Sequence, residues 1–181
     1  MRKNILVAFL LNLFFSVFEL IGGIITGSVA ILSDSLHDFG DSLSIGLAVI
    51  LEKKSLKKPD NTHTYGYIRY SVLGSVITTV ILLAGAILVI VSSFRRIFNP
   101  VEINYSGMII FAVIGVIVNF AAAFVTHSGE SLNEKSVNLH MLEDVLGSAV
   151  VLVGAVVMKF TDISVLDPIL SIAVAVFILV N

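Results

Sequence analysis

Apolar residues fall along the chain in six blocks, at 5 to 26, 29 to 51, 71 to 94, 103 to 126, 136 to 158 and 162 to 181. A helix of roughly 20 such residues covers the hydrocarbon core of a bilayer, about 30 Å. The pattern therefore predicts an all-α, polytopic membrane fold with six transmembrane helices. The breaks are short and polar: "TGS" at 26 to 28, "FNPVEIN" between the third and fourth blocks, "KFTDISVLDP" between the fifth and sixth. None is long enough to be a domain, so 1 to 181 reads as one transmembrane unit, either minimal or shortened. The first block follows Arg2 and Lys3 as a signal peptide would, but its apolar run to Leu32 carries a single charge and is about twice a signal core. It reads as a retained helix.

Composition agrees. Hydrophobic residues make up 57% of the chain, charged residues 13%, and mean hydropathy is +1.03. A net charge of −2 with no basic run interleaved with aromatics excludes a nucleic-acid partner. Lysine and arginine set direction. The amino terminus, the second loop (Lys53, Lys54, Lys57, Lys58, Arg69) and the fourth (Lys135) hold eight of the eleven, against Arg95, Arg96 and Lys159 opposite. Both termini are expected in the cytoplasm, in the cell (inner) membrane if the source is bacterial.

Two of the blocks carry ionisable groups that lipid does not tolerate without cause. "LHDFGDSL" (36 to 43) and "LHMLEDVL" (139 to 146) share Leu-His-x-apolar-x-Asp-x-Leu. Residues four apart stack on one helix face, so each helix presents one imidazole and one carboxylate. At 1.5 Å per residue, His37 and Asp41 lie roughly 12 to 18 Å below the outer surface and His140 and Asp144 roughly 6 to 12 Å above the inner one. In antiparallel spans these depths nearly meet. With no cysteine in the chain, any metal is held by nitrogen and oxygen. Two imidazoles with two carboxylates suit Zn²⁺ or a similar divalent cation, whereas magnesium or calcium calls for more oxygens. Binding requires neutral histidine and ionised aspartate, so metal displaces protons, and a site open to each side in turn exchanges metal for H⁺. A structural hydrogen bond between helices is the competing reading of either motif alone; repetition on two spans favours the metal or proton site.

The residues resemble the cation diffusion facilitator family of zinc-exporting antiporters. "GSVAILSDSLHDFGD" is similar to that family's second-helix signature and "NLHMLEDVLGSAVVLVGA" to its fifth, with "HTYGYIRYSVLGS" and "TDISVLDPILSIAVAVFIL" matching the entrance to the third helix and the sixth helix. The resemblance implies a homodimer of six-helix protomers in the lipid bilayer and Zn²⁺/H⁺ exchange by rocking of a helix bundle. It places one site per protomer at His37, Asp41, His140 and Asp144. It also implies that His37 favours zinc over cadmium, although residue types alone do not rank Zn²⁺ against Co²⁺, Fe²⁺, Cd²⁺ or Mn²⁺. The family usually carries a cytoplasmic carboxy-terminal domain that helps hold the dimer, and these residues stop before it.

Other residues carry weaker expectations. Asp60 and His63 in "KPDNTHTYGY" resemble a loop metal site of some members, but Tyr67 stands where a further histidine is expected, and a solvated loop competes. His127 reads as a surface residue and Arg69 as a mark of the membrane boundary. Asp34, three before His37, is a candidate to order the imidazole or relay protons; Asp38, turned about 100° from His37, is a candidate to line an aqueous cavity. Glu19 is an intramembrane acid and so a functional candidate, with a helix–helix hydrogen bond as the alternative. Glu143 stands where a small residue is usual, and points toward water or accepts protons. Gly74, Gly85, Gly107, Gly115, Gly147 and Gly154 predict close helix contacts. A membrane metalloenzyme and a structural module are the rival classes. Four histidines in the whole chain are too few for a di-iron enzyme, and four protein ligands on zinc leave no position for an activated water.

Overall fold

The computed structural model describes residues 3–55, 67, 69–127 and 132–180, and six helices occupy them: α1 (Lys3–Thr26), α2 (Val29–Ser55), α3 (Arg69–Phe98), α4 (Tyr105–His127), α5 (Leu132–Thr161) and α6 (Leu166–Val180). The expected blocks and the observed helices coincide in number and order. α3 continues to Phe98, a turn past the expected 94, because "SSFRRIF" has no breaker before Asn99 and Pro100. α6 starts at Leu166 rather than 162. Asp162 is in the left-handed region (φ 54°) and its N–H caps Met158 O at 2.8 Å, closing α5 and leaving 162–165 outside any helix.

By length and composition, Leu6–Thr26, Thr79–Phe98, Tyr105–His127 and Val137–Thr161 are each apolar and long enough to cross a membrane. α2 falls outside that class because its middle is crowded with acids, and α6 because it has only 15 residues. Both pack beside the apolar helices over the same depth, with ends that meet the others' ends. Asn104 N–H bonds Thr26 O at 2.9 Å, Arg96 donates to Gly27 O, and Asp167 of α6 binds the start of α2, so the α1–α2, α3–α4 and α5–α6 connections gather at one end. The chain is thus an integral, multi-pass membrane protein.

Polarity is distributed as lipid demands. Phe14, Phe120, Phe124 and Phe160 point outward, while Asn12, Glu19, Asp34, Asp38, Asn119 and Asp144 are buried. α4 packs on α5, α1 on α2 and α4, and α3 against α2 and α6; α2 and α5 touch only lightly. Two apolar clusters close the bundle. One, toward the α1–α2 turn, joins Ile31, Met108, Val151 and Met158; the other, toward the opposite end, joins Ala8, Ala122, Ala123 and Met141. The buried polar groups of α1, α2, α4 and α5 lie in sequence between these clusters.

Small residues do allow close approach at several of the expected positions. A Cβ on Gly154 would meet Leu170 of α6, on Gly115 it would lie 3.1 Å from Phe15 and Ser148, and on Gly107 3.0 Å from Thr26. Gly147 is looser, 3.4 Å from Asp34 Oδ1. Gly85 corrects the expectation: nothing lies within 4 Å, because it borders a small cavity between α2, α3 and α6 rather than a helix contact. The side chain position of Gly74 lies outside the described residues. In the α1–α2 turn only glycine fits readily, since Gly27 has φ +72° and a Cβ there would stand 3.1 Å from Glu102 O.

Candidate metal centre

The two His-x-x-x-Asp pairs face each other across the bundle. On α2, His37 Nε2 lies 3.4 Å from Asp41 Oδ2, as their four-residue spacing dictates. From α5, His140 Nε2 reaches the same oxygen at 3.1 Å and its own helix's Asp144 Oδ2 at 3.9 Å. The imidazole rings are 6.1 Å apart, edge to face at 81°. Four donors held 2.0–2.1 Å from one tetrahedral ion would stand about 3.3–3.4 Å from one another. The separations of 3.1, 3.4 and 3.9 Å scatter around that edge length.

The His140–Asp41 contact accounts for only part of this convergence. Both carboxylate oxygens of Asp144 and His37 Nδ1 are buried with no hydrogen-bond partner among the described residues, and Asp41 Oδ2 is buried with only the two imidazoles near it. The Asp144 side chain is 1% exposed and that of Asp41 15%, against 22% and 26% for His37 and His140, so the pocket is most enclosed at Asp144. Buried polar groups are normally paired, and an unpaired carboxylate in a membrane interior costs several kcal/mol. The arrangement is not a closed cage, however. Among the described residues no group of three or more His, Cys, Asp or Glu is set at metal-holding geometry. The approaches are pairwise, between two helices that barely touch.

The sequence compared with known proteins gives the context for these residues. Residues 5–181 match the cation efflux transmembrane domain. The chain belongs to the cation efflux family. Among relatives, it is 36% identical over 182 residues to the zinc transporter ZitB of Yersinia pseudotuberculosis, a match covering 99% of this chain and 58% of that protein. It is 32% identical to the cadmium, cobalt and zinc/H(+)-K(+) antiporter of Bacillus subtilis, over 98% of this chain and 58% of that one. Identity to the metal cation efflux system protein CzcD of Cupriavidus metallidurans is 28%, over 98% of this chain and 57% of that one. This cation efflux domain thus spans under two thirds of the length of the curated relatives it matches.

The remaining candidates separate in this cation efflux bundle. Asp34 does not order the His37 imidazole: it is buried and turned to α5, where Ser148 Oγ donates to its Oδ2 at 3.4 Å. Asp38 differs from the expected cavity lining. It is 1% exposed, and both carboxylate oxygens are buried without a hydrogen bond among the described residues. Its position about 100° from His37 turns it into the bundle because α1 covers that side, with Asn12 Nδ2 donating to Asp38 O and Ser42 Oγ, each at 3.4 Å. Glu19 is 1% exposed with Oε2 unpaired. Glu143, His127 and Arg69 are exposed, and Tyr67 stacks on Tyr70 with ring centroids 5.8 Å apart. Asp60 and His63 lie outside the described residues.

Sequence reasoning missed three groups. Asn12 and Asn119 are buried amides in mid-span, a signal visible in the sequence because such a side chain in lipid seeks an interhelical partner. Asp167 is fully buried at the start of α6 and accepts from Ser28 Oγ at 2.5 Å, Val29 N–H at 2.7 Å and Ala30 N–H at 3.2 Å. It caps α2 from another helix, and only the fold brings the two together.

Proposed function

We propose that this domain carries a divalent metal cation, Zn²⁺ in the first instance, across the membrane in exchange for H⁺. His37 and Asp41 of α2 with His140 and Asp144 of α5 are the ligands. The observation that carries the reading is the pairing of tetrahedral-edge distances around Asp41 with buried Asp144 oxygens that no hydrogen bond among the described residues satisfies. The zinc transporter and antiporter names of relatives matching nearly the whole chain support it.

The mechanism follows from the donors. Protons and Zn²⁺ compete for the same nitrogen and oxygen lone pairs, so a metal arriving from the cytoplasm releases protons and protons arriving from outside release the metal. Light packing between α2 and α5 lets the two ligand pairs separate and rejoin as the helices rock, with α5 moving on α4 and α2 with α1 and α3. With both termini in the cytoplasm, as the lysine and arginine distribution favours, the gathered α1–α2, α3–α4 and α5–α6 connections face out, and an inward proton gradient drives the metal outward. A homodimer is the expected assembly. Reaction chemistry at the site is the weaker reading, because four protein ligands leave zinc no open position.

The test is Zn²⁺ flux in proteoliposomes under an imposed pH gradient, for the natural sequence, Asp41→Ala and His140→Ala. Flux that follows the proton gradient and disappears in both variants supports the proposal. Flux that persists in a folded His140→Ala variant removes that ligand from the site.

A further inference from the structure

Exchange through one site requires that the site be shut on one side at a time, and the four ligands do not themselves supply a shutter. One helical turn from Asp144 toward the α1–α2 turn, about 5 Å along the axis, three helices are joined by a directional chain of side chains. Asn119 Nδ2 of α4 donates to Ser148 Oγ of α5 at 3.1 Å, and Ser148 Oγ donates to Asp34 Oδ2 of α2 at 3.4 Å. A hydroxyl has one proton to give. Because Ser148 accepts from Asn119, that proton is left for Asp34. All three side chains are buried. Gly147 lets α5 come this near to α2, since a Cβ there would stand 3.4 Å from Asp34 Oδ1, an ordinary contact distance.

Exposure falls along α5 in one direction. His140, nearer the end that holds the termini, is 26% exposed at its side chain, Asp144 1%. Beyond Ser148, Ile31, Met108, Val151 and Met158 fill the bundle toward the α1–α2 turn, all fully buried. The cavity that His37 lines between α2, α3 and α6 does not bypass this closure: at about 20 Å³ it has room for one water molecule and not for a hydrated ion. The link from Ser148 to Asp34 is the longer of the two hydrogen bonds, and it joins helices that otherwise touch only lightly. It is therefore where the chain parts most readily.

We propose that the Asn119–Ser148–Asp34 chain closes the metal centre on the side of the α1–α2 turn, with Ser148 as the positioning residue. Intact, the chain holds α5 against α2 and leaves the ligands open toward the termini. When Ser148 parts from Asp34 and stays with Asn119, α5 separates from α2 at this level and the ligands open toward the α1–α2 turn. This inference deepens the transport reading and rests on it for the ion's route, but the closure is tested without zinc moving.

The chain contains no cysteine, so a single Gly147→Cys reports the closure by its reaction with a membrane-impermeant methanethiosulfonate added to one side of vesicles. Glu102→Cys, exposed beside the α1–α2 turn, marks which side that is. From that side Gly147→Cys is expected to be protected. Adding Ser148→Ala should speed its labelling by about 10-fold, the population shift expected from losing both hydrogen bonds, and Ser148→Thr, which keeps the hydroxyl, should restore protection. Ser148 makes no hydrogen bond to Asp144 among the described residues. Zinc affinity of Ser148→Ala should therefore stay within about 3-fold of the natural sequence, short of the 10–100-fold that a lost hydrogen bond to a ligand brings. Should Ser148→Ala fail to fold, Asn119→Leu tests the chain from its α4 end by the same readouts. Labelling that is equal with and without Ser148→Ala overturns the proposal. So does a zinc affinity that falls 10-fold or more while labelling stays unchanged, since Ser148 then supports Asp144 instead. Vesicles that move no zinc under any gradient sink the transport reading, while protection lost in Ser148→Ala and regained in Ser148→Thr still upholds the closure.

Discussion

Two regions of this bundle bury carboxylates, and they do so in opposite ways. At the α1–α2 turn, Asp167 is fully enclosed, yet its oxygens are met by a hydroxyl and two backbone N–H groups at the positive end of α2. Arg96 and Asn104 fasten the same turn through Gly27 O and Thr26 O. Midway down the bundle, Asp144 is buried almost as deeply, and among the described residues neither its oxygens nor those of Asp38 accept a hydrogen bond, while Asp41 Oδ2 meets only the imidazoles of His37 and His140. An intramembrane acid is thus not informative by presence alone. Where the protein satisfies it, the acid holds helices together; where the protein leaves it without a hydrogen bond, it is open to a cation or a proton, as the proposed site requires.

The comparison is broken most directly by exchanging charge for neutrality in each region. Asp144→Asn should lower zinc affinity by about 100-fold or more, since a ligand is worth at least as much as the outer-shell groups that tune it. Its melting temperature should hold or rise, because an unpaired buried charge is removed. Titration calorimetry and a thermal melt on the same sample read both. Lowering the pH should weaken zinc binding in the natural sequence, since protons compete for every donor, and should release fewer protons per zinc in His140→Ala.

Asp167→Ala should do the reverse. Losing three hydrogen bonds to a buried carboxylate, two of them from the first turn of α2, costs about 2–3 kcal/mol of stability. Denaturation in mild detergent measures it. Zinc coordination by the folded fraction should be kept, because His37 lies two turns further along α2. A folded Asp167→Ala variant with unchanged stability and no zinc binding would erase the distinction between the two regions.

Smaller effects sharpen the same contrast. Gly27→Ala should destabilise by about 1–2 kcal/mol, from a left-handed backbone and the close approach of Glu102 O. Gly85→Ala, with nothing within 4 Å of the added Cβ, should stabilise by up to about 1 kcal/mol through helix propensity alone. Unfolding curves of the two variants, opposite in sign, would show that the turn and not glycine content in general carries the strain.

The helix order was legible because each apolar block is long and each break carries glycine, proline or charge. The paired His-x-x-x-Asp motifs were legible because four-residue spacing fixes a shared face on any helix, and the fold brings the two faces to within 3.1 Å. What sequence could not supply was the direction of the neighbouring acids. Asp34 and Asp38 lie about 60° and 100° from His37 on an ideal helix, and only the positions of α5 and α1 decide that Ser148 Oγ donates to the carboxylate of the first while Asn12 Nδ2 donates to the backbone carbonyl of the second. Asp167 was hidden for a related reason. "SVLDP" reads as a loop ending, and its partners Ser28, Val29 and Ala30 stand well over a hundred residues earlier.

The central claim is that the unsatisfied donors of α2 and α5 are those of a tetrahedral metal site. X-ray absorption at the zinc edge of the purified, zinc-loaded chain tests it most directly. The account predicts four nitrogen and oxygen neighbours at about 2.0–2.1 Å with the multiple scattering of two imidazoles, reduced to one imidazole in His140→Ala. A six-coordinate all-oxygen shell, or an imidazole count unchanged in His140→Ala, would contradict it.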